Sequence, residues 1–104
     1  MIFVVATIEI APGKRLEFLQ EFHRIVPLVQ AEEGCLLYQP TTDVATNIGA
    51  QIPVRADVVT VVEHWASLEA LEAHLIAPHM LQYRTRVQSL VAGVQLQVLQ
   101  AASP

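Results

Sequence analysis

The chain has little cysteine, little basic charge and no long hydrophobic run. Its only cysteine, Cys35, cannot form an internal disulfide, which is typical of proteins from a reducing compartment. The 6 Lys and Arg residues are scattered among 10 Asp and Glu residues, so no basic patch for nucleic acid is expected. No apolar run approaches the ~20 residues of a membrane helix, and the N-terminal MIFVVATIEI lacks the basic start of a signal peptide. We therefore expect a cytoplasmic protein that binds neither nucleic acid nor membrane.

Established catalytic motifs are also missing. The sequence contains no glycine-rich phosphate loop, no G-x-S-x-G and no H-E-x-x-H. Any chemistry must therefore come from side chains that the fold brings together. What the chain has instead is apolar character, with 53% hydrophobic residues among 104 and a mean hydropathy of +0.42. A monomer of this size has too little interior to bury so much, so some apolar surface is expected to meet another subunit.

Hydrophobic patterning predicts four strands and two helical regions. Residues 2–10 and 57–65 are rich in β-branched residues, and residues 14–32 carry apolar side chains at helical spacing. Ser67 is placed to cap a helix that Pro78 ends or breaks. The remaining predictions are a strand over residues 35–40, a loop over residues 41–55, a further helix from Pro78 to Gly93 and a last strand over residues 94–100.

The resulting order is β-α-β-β-α-β, with the second helical region in two pieces. Right-handed crossovers convert this order into one α+β domain over residues 1–104, in which a ferredoxin-like antiparallel sheet carries helices on one face. Neither face of the strand over residues 57–65 is clearly polar. We therefore expect a homodimer in which a second copy covers the open sheet face.

The segment EHWASLEALEAHLIAPHM, residues 63–80, holds most of the candidate chemistry. His74 and His79 are five residues apart with Pro78 between them, so one regular helix would not place them on the same side. A metal site would need a third ligand, and none is apparent, so we predict no metal. His74 lies beside an apolar stripe, where a histidine is either a hydrogen-bonded core residue or an acid/base group in an apolar pocket.

The other candidates have equally ordinary alternatives. Trp65 ends a strand and is either a packing anchor or a pocket wall that stacks on a flat ligand. Glu63 should lie on the same strand face as Trp65, where its carboxylate needs a hydrogen-bonding or charged partner, or a ligand. His79 follows Pro78 at a helix start, where it is either a partly exposed residue or a donor to a ligand. Three further residues could belong to the core or line a pocket suited to an aromatic molecule: Tyr38, Met80 and Tyr83.

The chain resembles the antibiotic biosynthesis monooxygenase family, and within it the bacterial quinol monooxygenase branch. Four segments carry the resemblance: VVATIEIAPGK, EEGCLLYQ, EHWASLEALEAHLIAPHM and LQVLQ. The family fold is a ferredoxin-like unit that forms a dimeric α+β barrel. The resemblance implies oxidation of a quinol or a hydroxylated polycyclic aromatic by O2 without a cofactor. It implies His74 and His79 as catalytic residues and Trp65, Tyr38 and Glu63 as parts of the substrate pocket. Met80 and Tyr83 are added to that pocket from their own position and residue type.

One difference from the family and the diversity of the family both bear on this expectation. Haem-degrading relatives have an asparagine on the first strand, where this chain has Ala6 or Thr7, so haem degradation is not expected. The family also contains non-oxidative members, including an isomerase of a phosphorylated sugar. An isomerase or a ligand-binding dimer would need a cationic end to its pocket, and Arg84 or Arg86 pointing inward would favour it.

Overall fold

A computed structural model describes residues 1–104 and contains one four-stranded antiparallel sheet and three helices. In chain order the elements are β1 (Ile2–Ile10), α1 (Arg15–Gln30), β2 (Cys35–Thr41), β3 (Val58–Trp65), α2 (Leu68–Leu75), α3 (Pro78–Val87) and β4 (Val91–Leu99). The strand order across the sheet is β2-β3-β1-β4. The predicted ferredoxin-like α+β fold, with its second helical region in two pieces, is confirmed.

The helices cover one face of the sheet, because alternate strand residues point to opposite faces. On β1, Val4 and Ala6 are buried on the helix side, where they pair with Glu63 and Val61 of β3. The core between the two layers is closed from the helix side by Phe18, Phe22, Ile25 and Val29 of α1, with Leu71 of α2 and Met80, Tyr83 and Val87 of α3. The site described below lies in this layer.

Two local features position the helices around the site. The side-chain oxygen of Ser67 accepts a hydrogen bond from the backbone N–H of Ala70 at 3.1 Å, as its sequence position predicted for a helix cap. Gly34 has a φ of +81° in the turn between α1 and β2. A side-chain Cβ at Gly34 would lie 2.6 Å from the Cβ of Ala70. Only glycine therefore lets this turn pack directly against α2.

The boundary between α3 and β4 differs from its prediction. The helix was expected to continue to Gly93, but it ends at Val87 and β4 begins at Val91. The backbone N–H of Leu90 bonds to the carbonyl of Val87 and closes the turn. Gly93 is instead a strand residue that pairs with Glu9 of β1. Pairing with β1 along the whole edge overrides the local helical pattern.

Residues 43–55, between β2 and β3, form an extension that we call the arm. Its base is clasped by Arg55, whose Nε donates to Oδ2 of Asp43 at 2.9 Å and whose Nη2 donates to Oδ1 at 3.0 Å. Farther out, Gln51 Nε2 donates to the carbonyl of Val44 at 2.6 Å. The arm is ordered by its own hydrogen bonds, yet Val44, Ile48, Ile52 and Val54 are exposed.

The helix-facing side of β4 is also uncovered. Val94, Leu96 and Val98 pair with Ile8, Ala6 and Val4 of β1, so all six share one sheet face. The three β1 residues are buried, whereas the three β4 residues, which we call the β4 strip, are 46–56% exposed.

None of the helices has the length and apolar character needed to cross a membrane.

Candidate active site

A cavity of about 450 Å³ lies between the sheet and the helices. This is within the usual size of a small-molecule site, about 300–1,000 Å³. Its walls are mostly apolar, and five of the predicted site residues line it: Tyr38, Glu63, His74, Met80 and Tyr83. These side chains come from β2, β3, α2 and α3, so the fold brings them together from distant parts of the chain. The lining extends to the β4 strip at Val94 and Leu96, which are about half exposed, so the cavity is open to solvent there.

His74 and His79 are joined by a third residue, Glu32. One carboxylate oxygen of Glu32, Oε2, lies 2.9 Å from Nδ1 of His74 and 2.8 Å from Nε2 of His79. A carboxylate only accepts hydrogen bonds when ionised, so each imidazole is expected to donate to it. No group of three or more His, Cys, Asp or Glu side chains is arranged to hold a metal ion. The three residues form a hydrogen-bonded network centred on the carboxylate.

The turn after α1 holds Glu32 in this position. The backbone N–H of Glu32 bonds to the carbonyl of Val29, and its carbonyl accepts from the N–H of Cys35. Two residues later, the Gly34 carbonyl accepts a hydrogen bond of 2.8 Å from Ala66, immediately before α2. The turn is thus fixed to α1 on one side and to the start of α2 on the other, which aligns the carboxylate with His74.

One ring nitrogen of His74 is bonded to Glu32 and the other faces the cavity. Its side chain is almost completely buried, and its Nε2 has no hydrogen-bond partner in the chain. No fully buried side-chain nitrogen or oxygen lacks a partner, so Nε2 meets the cavity that His74 lines. Burial lowers the pKa of His74, although its hydrogen bond to Glu32 acts in the opposite direction. At neutral pH the ring is therefore uncharged, with a proton on Nδ1 for Glu32 and a free lone pair on Nε2.

Glu63 is a second titratable group on the cavity wall. Its Oε1 accepts a hydrogen bond of 2.9 Å from Nε1 of Trp65, and its side chain has no cationic partner. Burial raises the pKa of Glu63 to about 7, despite the opposing effect of the bond from Trp65. The site therefore combines a neutral imidazole with a carboxyl group that exchanges its proton near neutral pH.

The two tyrosines complete the polar part of the wall. Burial raises the pKa of both Tyr38 and Tyr83, so each keeps its hydroxyl proton and can donate to a ligand. Phe22 stacks on Tyr38 with ring centres 5.6 Å apart and meets Tyr83 edge-on. The Tyr38 ring in turn meets His74 edge-on at 5.3 Å. The packed rings leave the hydroxyls as the adaptable ends of a rigid aromatic wall.

Trp65 and His79 are not part of the cavity lining. Trp65 is fully buried behind His74, with ring centres 4.7 Å apart. The expectation that the Trp65 ring stacks on a ligand is corrected by this placement, because the His74 ring and the Glu63 carboxyl line the cavity and the Trp65 ring does not. His79 contacts Glu32 instead of the cavity. Trp65 and His79 therefore support the wall from behind.

Arg84 and Arg86 have different environments. Arg84 lies at the cavity wall and forms no ion pair within the chain, whereas Arg86 donates from Nε to Oε2 of Glu21 at 3.0 Å on the surface. Arg84 is an exposed residue, so its guanidinium lies at the solvent-facing end of the cavity and meets only in part the inward orientation that the non-oxidative hypothesis requires.

Glu32 was missed by sequence reasoning, although it lies in the EEGCLLYQ segment. It is 42 residues from His74 and 47 from His79 in the chain. No local spacing links such distant residues, and an acidic pair after a helix is usually solvated. Only the pairing of β2 with β3 brings the turn to α2.

Glu63→Gln is expected to stabilise the protein in alkaline solution. The raised pKa of Glu63 means that its protonated form contributes stability below its ordinary pKa of 4.5, and that this contribution disappears as the pH rises through about 7. Above that, the wild type buries a carboxylate at a cost of roughly 3 kcal/mol. Gln keeps an acceptor for Trp65 and does not titrate. Urea unfolding at about pH 5 and about pH 8.5 measures the difference, and equal pH slopes in the two proteins would contradict it.

Comparisons with known proteins agree with this architecture. A model of the antibiotic biosynthesis monooxygenase family matches residues 1–86. The chain is 38% identical over 102 residues to the "Probable quinol monooxygenase YgiN" of Escherichia coli K12, covering 96% of this chain and 97% of that protein. Among solved structures, PA3566 from Pseudomonas aeruginosa superposes with a TM-score of 0.80 at 25% identity, over 98% of this chain and 94% of that one. Rv0793 from Mycobacterium tuberculosis shares the fold, with a TM-score of 0.79 at 23% identity over 99% and 96% of the two chains. The chain belongs to the antibiotic biosynthesis monooxygenase family.

Proposed function

We propose that the protein is a cofactor-independent monooxygenase that oxidises a quinol or a hydroxylated polycyclic aromatic with O2. The observation that carries this proposal is the arrangement of His74, which is held by Glu32 through Nδ1 and presents Nε2 to a mostly apolar cavity. The similarity to a protein named as a quinol monooxygenase supports the same class of substrate.

The first step is removal of a phenolic proton by Nε2 of His74. The imidazolium that forms is stabilised by the carboxylate of Glu32, which carries the opposite charge at 2.9 Å. His79 donates to the same oxygen at 2.8 Å and keeps the carboxylate aligned. Glu32 and His79 are thus positioning residues, and His74 is the base.

The substrate then supplies the electrons. A deprotonated quinol is a much better one-electron donor than the neutral molecule, so it can reduce O2 directly. In the overall reaction, quinol and O2 give a hydroxylated quinone and water: one oxygen atom enters the ring and the other leaves as water. The aromatic wall of Tyr38 and Tyr83 holds the ring, and the apolar lining limits the entry of water. We assign to Glu63, which lines the cavity and exchanges its proton near neutral pH, the return of a proton to the reduced oxygen.

The protein is proposed to act as a homodimer. The sheet face opposite the helices carries Phe3, Val5, Val62 and Leu37, which are only partly covered within one chain. A second copy packed against this face would bury them and would account for the apolar composition.

Oxygen uptake tests the function. Metal-stripped, flavin-free protein is given menadiol, and the rate is compared with autoxidation of menadiol without protein. We expect uptake well above that control and formation of a hydroxylated quinone. A rate equal to autoxidation with menadiol and with a hydroxylated polycyclic aromatic would contradict the proposal.

A second candidate is a non-oxidative enzyme or binding protein for an anionic ligand, and the unpaired Arg84 favours it. Calorimetric titration with 1-hydroxy-2-naphthoate and with 1-naphthol separates the candidates. Selective binding of the carboxylate without oxygen uptake would support the second function.

A further inference from the structure

We propose that the arm of one copy covers the β4 strip of a second copy and closes the cavity mouth, so that each active site is built from two chains. The inference rests on the proposed homodimer. It goes beyond that dimer because it assigns a part of the partner to the site. Three independent features of the single chain support it.

The first feature is a missing cover. The β4 strip lies on the same sheet face as Val4, Ala6 and Ile8, which are 1–5% exposed. The strip itself is 46–56% exposed, because no helix of its own chain extends over β4. Two of its three residues, Val94 and Leu96, line the cavity. The apolar surface that lacks a cover is therefore the rim of the active site.

The second feature is the exposed apolar surface of the arm. Val44, Ile48, Ile52 and Val54 are 51–68% exposed, although the arm is ordered by its clasp and its internal hydrogen bonds. The radius of gyration of the chain is 14.4 Å, against about 13 Å for a compact domain of this length. A preformed projection with apolar side chains on its surface is typical of a segment that contacts another molecule.

The third feature is the position of the arm relative to the strip. The arm connects β2 and β3, whereas β4 forms the opposite edge of the order β2-β3-β1-β4. Three strand spacings, about 14 Å in all, separate the two edges. Within one chain, the arm thus leaves the sheet from the edge opposite the strip.

A two-fold axis brings them together. If the open faces of two sheets pack around an axis parallel to the strands, the order of one sheet is reversed relative to the other, and β2 of one copy lies over β4 of its partner. Rotation about such an axis does not shift a residue along the strand direction. The arm leaves the sheet beside the pairs Thr41–Thr60 and Ile8–Val59, and Ile8 also pairs with Val94. The partner's arm would therefore begin level with the cavity-lining end of the strip.

The arrangement has a chemical consequence. An apolar arm over Val94 and Leu96 would exclude water from the side of the cavity that a single chain leaves open. Its apolar side chains would pack beside the substrate ring at the β4 edge of the cavity, next to the helices. The residues of the arm would then influence substrate choice in the neighbouring copy.

Cross-linking tests the geometry without any need for activity. In a Cys35→Ser background, chains carrying Ile48→Cys or Ile52→Cys are mixed with chains carrying Leu96→Cys and treated with a short bismaleimide. We expect covalent dimers that contain one chain of each kind. Leu28→Cys on α1, also exposed at 51%, replaces the arm cysteine as the control and should give none. Absence of mixed dimers with both arm positions overturns the proposal.

Complementation tests the function of the shared site. Chains with His74→Gln and an intact arm are unfolded and refolded together with chains that keep His74 but carry Ile48→Asp and Ile52→Asp. Each kind alone should have little activity, and the mixture should recover about a quarter of the wild-type rate, because half of the dimers then hold one complete site.

Leu16→Asp with Leu28→Asp is the matched surface control and should be as active as the wild type. An active wild type with no recovery in the mixture means that the arm does not serve the partner's site. If the wild type itself takes up no oxygen, only the proposed function fails, and cross-linking alone decides the geometry.

Discussion

His74→Gln is expected to lower kcat/KM for quinol-dependent oxygen uptake by about 10²- to 10⁴-fold, the usual contribution of a positioned general base. Glutamine is close to histidine in size, and its amide is polar but does not titrate. It replaces an imidazole whose Nδ1 lies 2.9 Å from Oε2 of Glu32 in the wild type. It cannot accept the phenolic proton at neutral pH. The loss should therefore concern chemistry more than folding, and initial rates with menadiol, corrected for autoxidation, measure it.

The pH profile distinguishes a base from a merely structural residue. Burial lowers the pKa of His74 below the usual histidine value of 6.5, so the acidic limb of the wild-type kcat/KM profile should lie below that value. A separate fall above about pH 7 is expected as Glu63 loses the proton that it is proposed to donate. The acidic limb should be absent from the residual activity of His74→Gln. His23→Gln, on the exposed side of α1, is the matched control and should leave both rate and profile unchanged. A variant that keeps more than about a tenth of the wild-type rate would remove His74 from the mechanism.

Gly34→Ala is expected to cost about 2–5 kcal/mol of folding free energy and to misplace Glu32. Two effects combine at this position. The left-handed φ of +81° strains any residue with a Cβ, and that Cβ would lie 2.6 Å from the Cβ of Ala70, which is closer than side-chain carbons approach. The turn must then move away from α2, and the carboxylate of Glu32 moves with it. Urea unfolding measures the loss of stability.

Gly13→Ala separates the two effects. Gly13 has a similar φ of +77°, but a Cβ there would meet nothing within 4 Å. Gly13→Ala should therefore lower the folding free energy only through backbone strain, by about 1–2 kcal/mol. Adding Ala70→Gly to Gly34→Ala removes the clash and should restore part of the stability and of the oxygen uptake. Equal losses in Gly13→Ala and Gly34→Ala would show that packing between the turn and α2 is unimportant.

Much of the fold could be predicted because its elements are encoded locally. The β-branched run of β3, the helical spacing of Phe18, Phe22, Ile25 and Val29, and the cap at Ser67 each depend on neighbouring residues. The start of β4 could not be predicted this way. Val91 continues the apolar pattern of α3, and only its pairing with Ile10 on β1 places it in a strand.

The site was predictable in its composition but not in its connections. The 63–80 segment is rich in titratable and aromatic residues. The five predicted site residues that line the cavity are all buried: Tyr38, Glu63, His74, Met80 and Tyr83. Sequence spacing does not show which of these buried side chains faces the cavity, because that depends on how the strands and helices pack. Trp65 lies one layer behind His74, and Glu32 reaches both histidines from a distant turn.

The order of the strands also affects how the chain acquires its structure during synthesis. The central strand β1 is made first, yet one of its two neighbours is β4, so that Val4 pairs with Val98. At a translation rate of about 5–20 residues per second, β1 waits roughly 5–20 s for this neighbour. Throughout that interval a mostly apolar strand has an unsatisfied edge, which is the kind of surface that aggregation begins from. The central strand of the mature sheet is therefore a segment that the nascent chain must protect until β4 is made.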